Sequence, residues 1–183
     1  MYFLAKEEEI LKLCSRAETF EKGFRLLVHT HQESIYRIIR QMVLNHEDAN
    51  DIMQEVFIKV WRSLSKFRKE SSLSTWIYRI AVNETFNFLK KQKRKQFFLS
   101  GDRTTMVMER LRSDPYFDGQ EIEIKLQEAL LQLPDRQRLV FNMRYYEDMK
   151  FDEIEEILGT SSGSLRASYH IAVKKVKKYL IED

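Results

Sequence analysis

Between residues 48 and 64 apolar side chains recur at steps of three and four: Ala49, Ile52, Met53, Val56, Phe57, Val60, Trp61 and Leu64. That period places them along one side of an amphipathic helix. Residues 20–44 carry Phe24, Leu27, Val28, Ile35, Ile38, Ile39 and Met42, which predicts one or two helices packed on that face. After a polar stretch at 65–74, Trp76, Ile77, Ile80, Ala81, Phe88 and Leu89 mark a third long helix. A helical module over about residues 7 to 95 follows. From 97 to 120 the period lapses and Gly101, Pro115 and Gly119 fall there, so this segment reads as a linker. Periodicity resumes with Ile122, Leu126, Ala129, Leu130 and Leu133, and Pro134 then opens a helix holding Leu139, Val140 and Met143. A short helix over 151–158, Gly159, a polar turn and a last helix over 165–180 complete the chain.

Composition sharpens the fold class. With 5 Gly and 2 Pro in 183 residues, the chain uses about a third of the ordinary complement of turn formers. A turn-dense β-fold is excluded, because hairpins consume both residues. The length suits one domain or two small ones. The expected architecture is all-α: two small helical domains, 1–96 and 121–183, joined by a flexible linker over 97–120.

The formal charge of +3 conceals a segregation. Residues 45–58 hold Glu47, Asp48, Asp51 and Glu55 with no Lys or Arg, whereas residues 59–95 hold 11 Lys and Arg against Glu70 and Glu84. The alternation recurs: 147–157 contains 6 acids and Lys150, and 165–180 contains Arg166, Lys174, Lys175, Lys177 and Lys178 without an acid. Two basic surfaces, each beside an acidic one, suit polyanion binding at two places.

Residues 151–173 have helix-turn-helix form, with Phe151, Ile154, Ile157 and Leu158 facing inward and Gly159 where the chain turns with positive φ. In such motifs the second helix enters the major groove. Ser162 and Ser164 sit at its amino end, where phosphates bind, and Arg166, Ser168 and His170 lie near one exposed face. An ordinary helical corner carries the same pattern. The other basic element is a line of Arg79, Asn83, Asn87, Lys90 and Arg94 down one helix side, entered through Phe67 and Arg68, an aromatic and a planar cation able to hold an unstacked base. A solvated face with a core aromatic at its entrance reads equally well from composition alone.

No catalytic constellation is visible. The four histidines form no HExxH pair, no GxxxxGK[ST] loop is present, and His29 and His31, two apart, point to different sides of a helix. Neither metal nor cofactor is expected. The single Cys14 forms no internal disulfide and reads as a buried structural thiol. The amino terminus offers no signal-peptide pattern and no run of about 18 apolar residues occurs, so a cytoplasmic location is expected.

Three blocks, DANDIMQEVFIKVWRSLSKF, STWIYRIAVNETFNFLKKQKR and LPDRQRLVFNMRYYEDMKFDEIEEILGTSSGSLRASYHIAVKKV, in this order, resemble a sigma factor of the extracytoplasmic-function group of the sigma-70 family. The resemblance covers nearly the whole chain. It implies that residues 1–96 are the second sigma region, which binds core RNA polymerase and opens the minus-10 promoter element. It implies that 121–183 are the fourth, whose helix-turn-helix reads the minus-35 element. By the same resemblance Asp48, Asp51, Gln54, Glu55 and Lys59 contact core polymerase. Phe67, Arg68, Lys69, Ser71, Thr75, Trp76, Arg79, Asn83, Asn87, Lys90 and Arg94 meet minus-10 DNA. Ser162, Ser164, Arg166, Ser168, His170 and Lys174 meet minus-35 DNA. Core polymerase, promoter DNA and an anti-sigma factor are the implied partners, and no catalysis is expected. Several positions depart from the family pattern. Lys69 stands where Gly is frequent, Glu155 where Ala is usual, Ser162 where an apolar residue is usual, and Ser168 and Ile171 where Arg is frequent.

A stand-alone helix-turn-helix regulator is the rival reading, but it needs neither the 48–61 helix nor the single-strand loop. An anti-sigma-like scaffold leaves both basic faces unexplained. A nucleic-acid enzyme lacks a visible metal or nucleophile site.

Overall fold

Helix α3, His46–Ser63, is the centre from which the amino-terminal domain is built. It begins where the preceding helix ends on Leu44, whose φ of 58° forces the chain to turn, and Asn45 then accepts the Asp48 N–H at 2.8 Å as the cap. The computed structural model describes residues 2–97, 103–117 and 119–182. Around α3 lie α1 (Tyr2–Cys14), α2 (Phe20–Val43) and α4 (Leu73–Phe97). Residues 20–44 thus form one helix rather than two. The four pack through Ile10, Leu27, Ile35 and Ile39, through Ala49, Ile52, Val56 and Val60, and through Leu73, Ile77, Ala81 and Leu89, all buried.

Two local devices set this bundle. A Cβ on Gly23 would stand 2.9 Å from the Cys14 backbone nitrogen and 2.6 Å from its sulfur, so the glycine is what lets α1 lie against α2. Cys14 is half-buried at that contact, and burial raises its thiol pKa. Glu7 of α1, itself buried, accepts from the backbone N–H of Leu73 at 3.3 Å and of Ser74 at 3.1 Å, which caps the start of α4 from another helix.

The carboxy-terminal domain comprises α6 (Glu121–Leu131), α7 (Asp135–Tyr145), α8 (Phe151–Leu158) and α9 (Ser162–Glu182). Its own core is Ala129, Leu130, Leu133, Phe141, Ala172 and Val176. Gly159 closes α8 at φ 63°, a conformation that L side chains rarely adopt, and the helix-turn-helix follows from it.

The joining segment differs from its expectation. Residues Arg103–Arg112 form a helix, α5, which buries Val107, Met108 and Leu111 against Leu44 at the end of α2. Four apolar residues in ten, Met106, Val107, Met108 and Leu111, made no visible stripe, so the segment read as irregular. The part of the expected linker at 98–102 and residue 118 lie outside the described residues. The two domains also share a core. Leu139, Val140, Met143, Ile154, Ile157 and Leu165 of the second are continuous with the buried cluster of the first.

Candidate nucleic-acid interface

The face of α4 is a line of exposed polar side chains on a buried base. Arg79, Asn83, Asn87, Lys90 and Arg94 are exposed, while Ile77, Tyr78, Ala81, Val82, Thr85 and Leu89 are buried beneath them. The four- and three-residue spacing therefore does form one surface. Some of it is occupied: the Arg79 guanidinium donates to the Glu156 carbonyl of α8 at 3.0 and 2.6 Å. Asn87 donates weakly to Glu84 at 3.5 Å.

The loop before α4 is less uniform. Phe67 is half-buried, its ring 5.2 Å from that of Trp76, so the two aromatics form one tilted pair at the helix entrance. Arg68 and Lys69 are exposed, and Arg68 lies 3.8 Å from Glu70. Ser71 is half-buried, its hydroxyl donating to the Ser72 carbonyl at 3.3 Å. Lys69 has φ 58°. Lys69, where the family resemblance leads to the expectation of Gly, thus holds a left-handed backbone that Gly adopts freely, at a cost of about 1 kcal/mol for a residue with a Cβ. Thr75 stands apart from the exposed set: it is buried, it bonds Ser72 at 2.9 Å, and it donates to Glu156 at 3.3 Å. Its side chain is held inside the fold, apart from the exposed line of α4.

On α9, Ser164, Arg166, His170 and Lys174 are exposed and Ser162 and Ser168 half-buried. Arg166 reaches over the Phe151 ring at 5.3 Å and lies 4.0 Å from Asp152, so its charge is loosely tethered at the start of α8. Two departures from the family pattern turn out to be one interaction, because the Glu155 carboxylate accepts the Ser162 N–H at 2.8 Å across the turn. Ile171 is 49% exposed.

On α3, Asp51, Gln54, Glu55 and Lys59 point to solvent, and Lys59 pairs with Glu84 of α4 at 2.7 Å. Asp48 is only half-exposed. Burial raises its carboxyl pKa, with Asp51 and Glu47 adding to that and Arg110 of α5, at 3.9 Å, opposing it. Sequence reasoning missed the neighbouring apolar groove. Trp61, assigned to the core stripe, is 43% exposed and Ile58 42%, and with Phe24, Val28, Met53 and Phe57 they line a groove of about 710 Å³. Phe20 and Phe24 hold Trp61 edge-on, each 4.7 Å between ring centroids. The signal was present as two adjacent apolar pairs, Phe57–Ile58 and Val60–Trp61, which make a stripe wider than one packed face.

Residues 27–95 match the model of sigma-70 region 2, and residues 123–176 that of sigma-70 region 4. The chain is 31% identical to RNA polymerase sigma factor SigV of Bacillus subtilis (strain 168) over 84% of this chain and 88% of the relative. The chain belongs to the sigma-70 family. Its relatives place it in the extracytoplasmic-function group: it is 30% identical to the ECF RNA polymerase sigma-E factor of Haemophilus influenzae, over 80% of this chain and 82% of that one. The fold is that of CnrH, solved in complex with the cytosolic domain of CnrY, with TM-score 0.69 and 18% identity over 97% of this chain and 99% of that one. The sigma factor RpoE of Bartonella quintana, solved with the anti-sigma factor NepR, matches with TM-score 0.66 and 18% identity over 88% and 99%. This sigma factor is therefore a promoter-recognition subunit of RNA polymerase. Among the described residues no helix is long and apolar enough to cross a membrane, and no group of His, Cys, Asp and Glu is placed to hold a metal ion.

Proposed function

We propose a division of labour within this sigma factor. Residues 1–96 dock on core polymerase through α3 and engage the minus-10 element through the 67–76 loop and α4. Residues 121–183 read the minus-35 element through α9. The observation that carries the reading is the juxtaposition of an acidic helix, α3, with the exposed cationic and amide line of α4 in one bundle with a shared core. A subunit bridging a protein and a polyanion needs both surfaces. Asp51, Gln54, Glu55 and Lys59 with the exposed Ile58 and Trp61 form the polymerase side. Uncharged Asn83 and Asn87 among bases suit contact with base edges as well as phosphates.

Strand opening here consumes no nucleotide. Its free energy comes from stacking extruded bases on the Phe67 and Trp76 region and from phosphate contacts, at about 1–3 kcal/mol per stacked base. The subunit has no catalytic role of its own and works in the cytoplasm, where polymerase and DNA meet. An anti-sigma protein is its inhibitor, a proposal supported by the two solved relatives, one bound to the anti-sigma factor NepR and one to CnrY. Photo-crosslinkers placed at Asn83 and Arg166 in the reconstituted holoenzyme test the assignment. Asn83 should label the non-template strand close to the start site and Arg166 duplex DNA upstream of it. Labelling of the same DNA segment from both positions would contradict it.

A further inference from the structure

Helix α8 carries Asp152, Glu153, Glu155 and Glu156, and the carboxylates are used differently. Glu153 accepts the Lys150 N–H at 2.6 Å and so caps its own helix. Asp152 stands 4.0 Å from Arg166, and Glu156 accepts the Thr75 hydroxyl at 3.3 Å. Glu155 reaches across the turn to the backbone of α9, where its Oε2 accepts the Ser162 N–H at 2.8 Å. The geometry of that reach is set by packing on both sides of the turn. Gly159, at φ 63°, donates its N–H to the Glu155 carbonyl at 2.8 Å, and the Leu165 N–H donates to the Ser161 carbonyl at 3.0 Å where α9 begins. Ile154 and Ile157 of α8 and Leu165 of α9 are buried in one cluster.

The first backbone N–H groups of a helix lack an intrahelical acceptor and attract anions. On α9 the Ser162 N–H is taken by Glu155, and the Ser164 N–H lies 3.4 Å from the Ser161 hydroxyl. A DNA phosphate approaching this end would meet a carboxylate already seated there. Yet Glu155 is exposed, and its other oxygen, Oε1, has no hydrogen-bond partner among the described residues. A recognition helix presents its amino-terminal residues to base edges in the major groove. An acceptor-only group in that place matches the exocyclic amino group of cytosine. It opposes guanine and thymine, which present acceptors in the groove, and meets adenine as a donor flanked by the N7 acceptor.

We propose that Glu155 is a specificity-determining residue of this sigma factor: anchored on the Ser162 N–H, it selects cytosine at one position of the minus-35 element from α8, outside the recognition helix. The proposal rests on the reading that α9 meets that element. Phosphate contacts fix orientation and carry no sequence information. At the amino end of α9 the seated carboxylate exchanges such a contact for a base contact.

The test uses holoenzyme reconstituted from core polymerase and the full chain. Its probe is a duplex library made by randomising the minus-35 region of one promoter on which this protein starts transcription. Bound duplexes are sequenced for the parent, Glu155→Ala, Glu155→Gln and Arg166→Ala, and circular dichroism checks that each variant remains helical. The parent should enrich cytosine at one position, and Glu155→Ala should lose about tenfold of that preference there and nowhere else. In Glu155→Gln the amide oxygen still accepts the Ser162 N–H and turns the NH2 outward, so the preference should leave cytosine for guanine or thymine. Cytosine preference retained in either Glu155 variant overturns the proposal, as does a Glu155→Ala variant that binds every sequence more tightly by the same factor. If Arg166→Ala alters the sequence profile while the Glu155 variants do not, the assignment of α9 to the minus-35 element stands and the proposal fails. If all three variants leave the profile unchanged, that assignment fails as well.

Discussion

Asp114 binds Arg40 across 74 positions of sequence, with a guanidinium nitrogen 2.9 Å from its carboxylate. The same oxygen accepts the His46 N–H at 2.9 Å, so an acidic residue just beyond α5 caps the first turn of α3. The His46 ring stacks on Tyr116 at 3.8 Å, and Arg110 faces Asp48. The joining segment is thus fastened to the amino end of the helix assigned to polymerase.

Asp114→Ala should therefore release the segment while leaving the bundle folded. With the Asp114 side chain only 2% exposed, losing the ion pair and the cap should cost about 2–3 kcal/mol of docking. Hydrogen exchange over residues 103–117 is the measurement, and protection there should collapse while that of α2 and α4 persists. Core polymerase affinity should be retained or raised.

Lys69 yields a second prediction. Because its φ is already 58°, Lys69→Gly should leave the loop geometry intact and hold thermal stability within about 1 kcal/mol of the parent. A β-branched Lys69→Val should be worse by about 1–2 kcal/mol. Thermal denaturation separates the two, and promoter opening should survive the Gly variant.

Much of the amino-terminal architecture was legible because α2, α3 and α4 are long and their apolar residues keep a helical period. The helix-turn-helix was legible from Phe151, Ile154, Ile157 and Gly159. What sequence could not show was tertiary. Thr75 sits at the right spacing for the nucleic-acid face, yet Ser72 and Glu156 hold it inside. Helix α5 was hidden because its three buried residues pack on Leu44, a partner more than sixty positions away. The seam between domains was invisible for the same reason: Leu139, Val140 and Met143 fit the core of either domain as well as the junction. Trp61 was read as core because a period reports a face and not what covers it.

The buried His31 sets a pH dependence. Burial depresses its pKa, with Glu7 opposing and Lys6 reinforcing. The unfolded chain then binds the proton more readily than the folded one, so this stability contribution is complete above the ordinary histidine range and is lost as pH falls through it. Melting temperature should drop between about pH 7 and pH 5, with a slope of at most about 1.4 kcal/mol per unit from this one group. His31→Gln should flatten that slope, as read by calorimetry across the range.

The two surfaces proposed to meet DNA should fail differently. Phe67→Ala removes half of the pair with Trp76 and should leave closed promoter binding intact while lowering open-complex formation roughly tenfold. Arg166→Ala should weaken minus-35-dependent binding by a similar factor before any opening. Permanganate reactivity of unpaired thymines reports the first effect and promoter retention by the holoenzyme the second.

Run-off transcription on genomic DNA fragments, with core polymerase in the presence and absence of this protein, tests the central claim most directly. The account predicts new, discrete start sites that require the protein, together with a stable complex between it and core polymerase. The absence of any new start site, together with the absence of a complex, would contradict it.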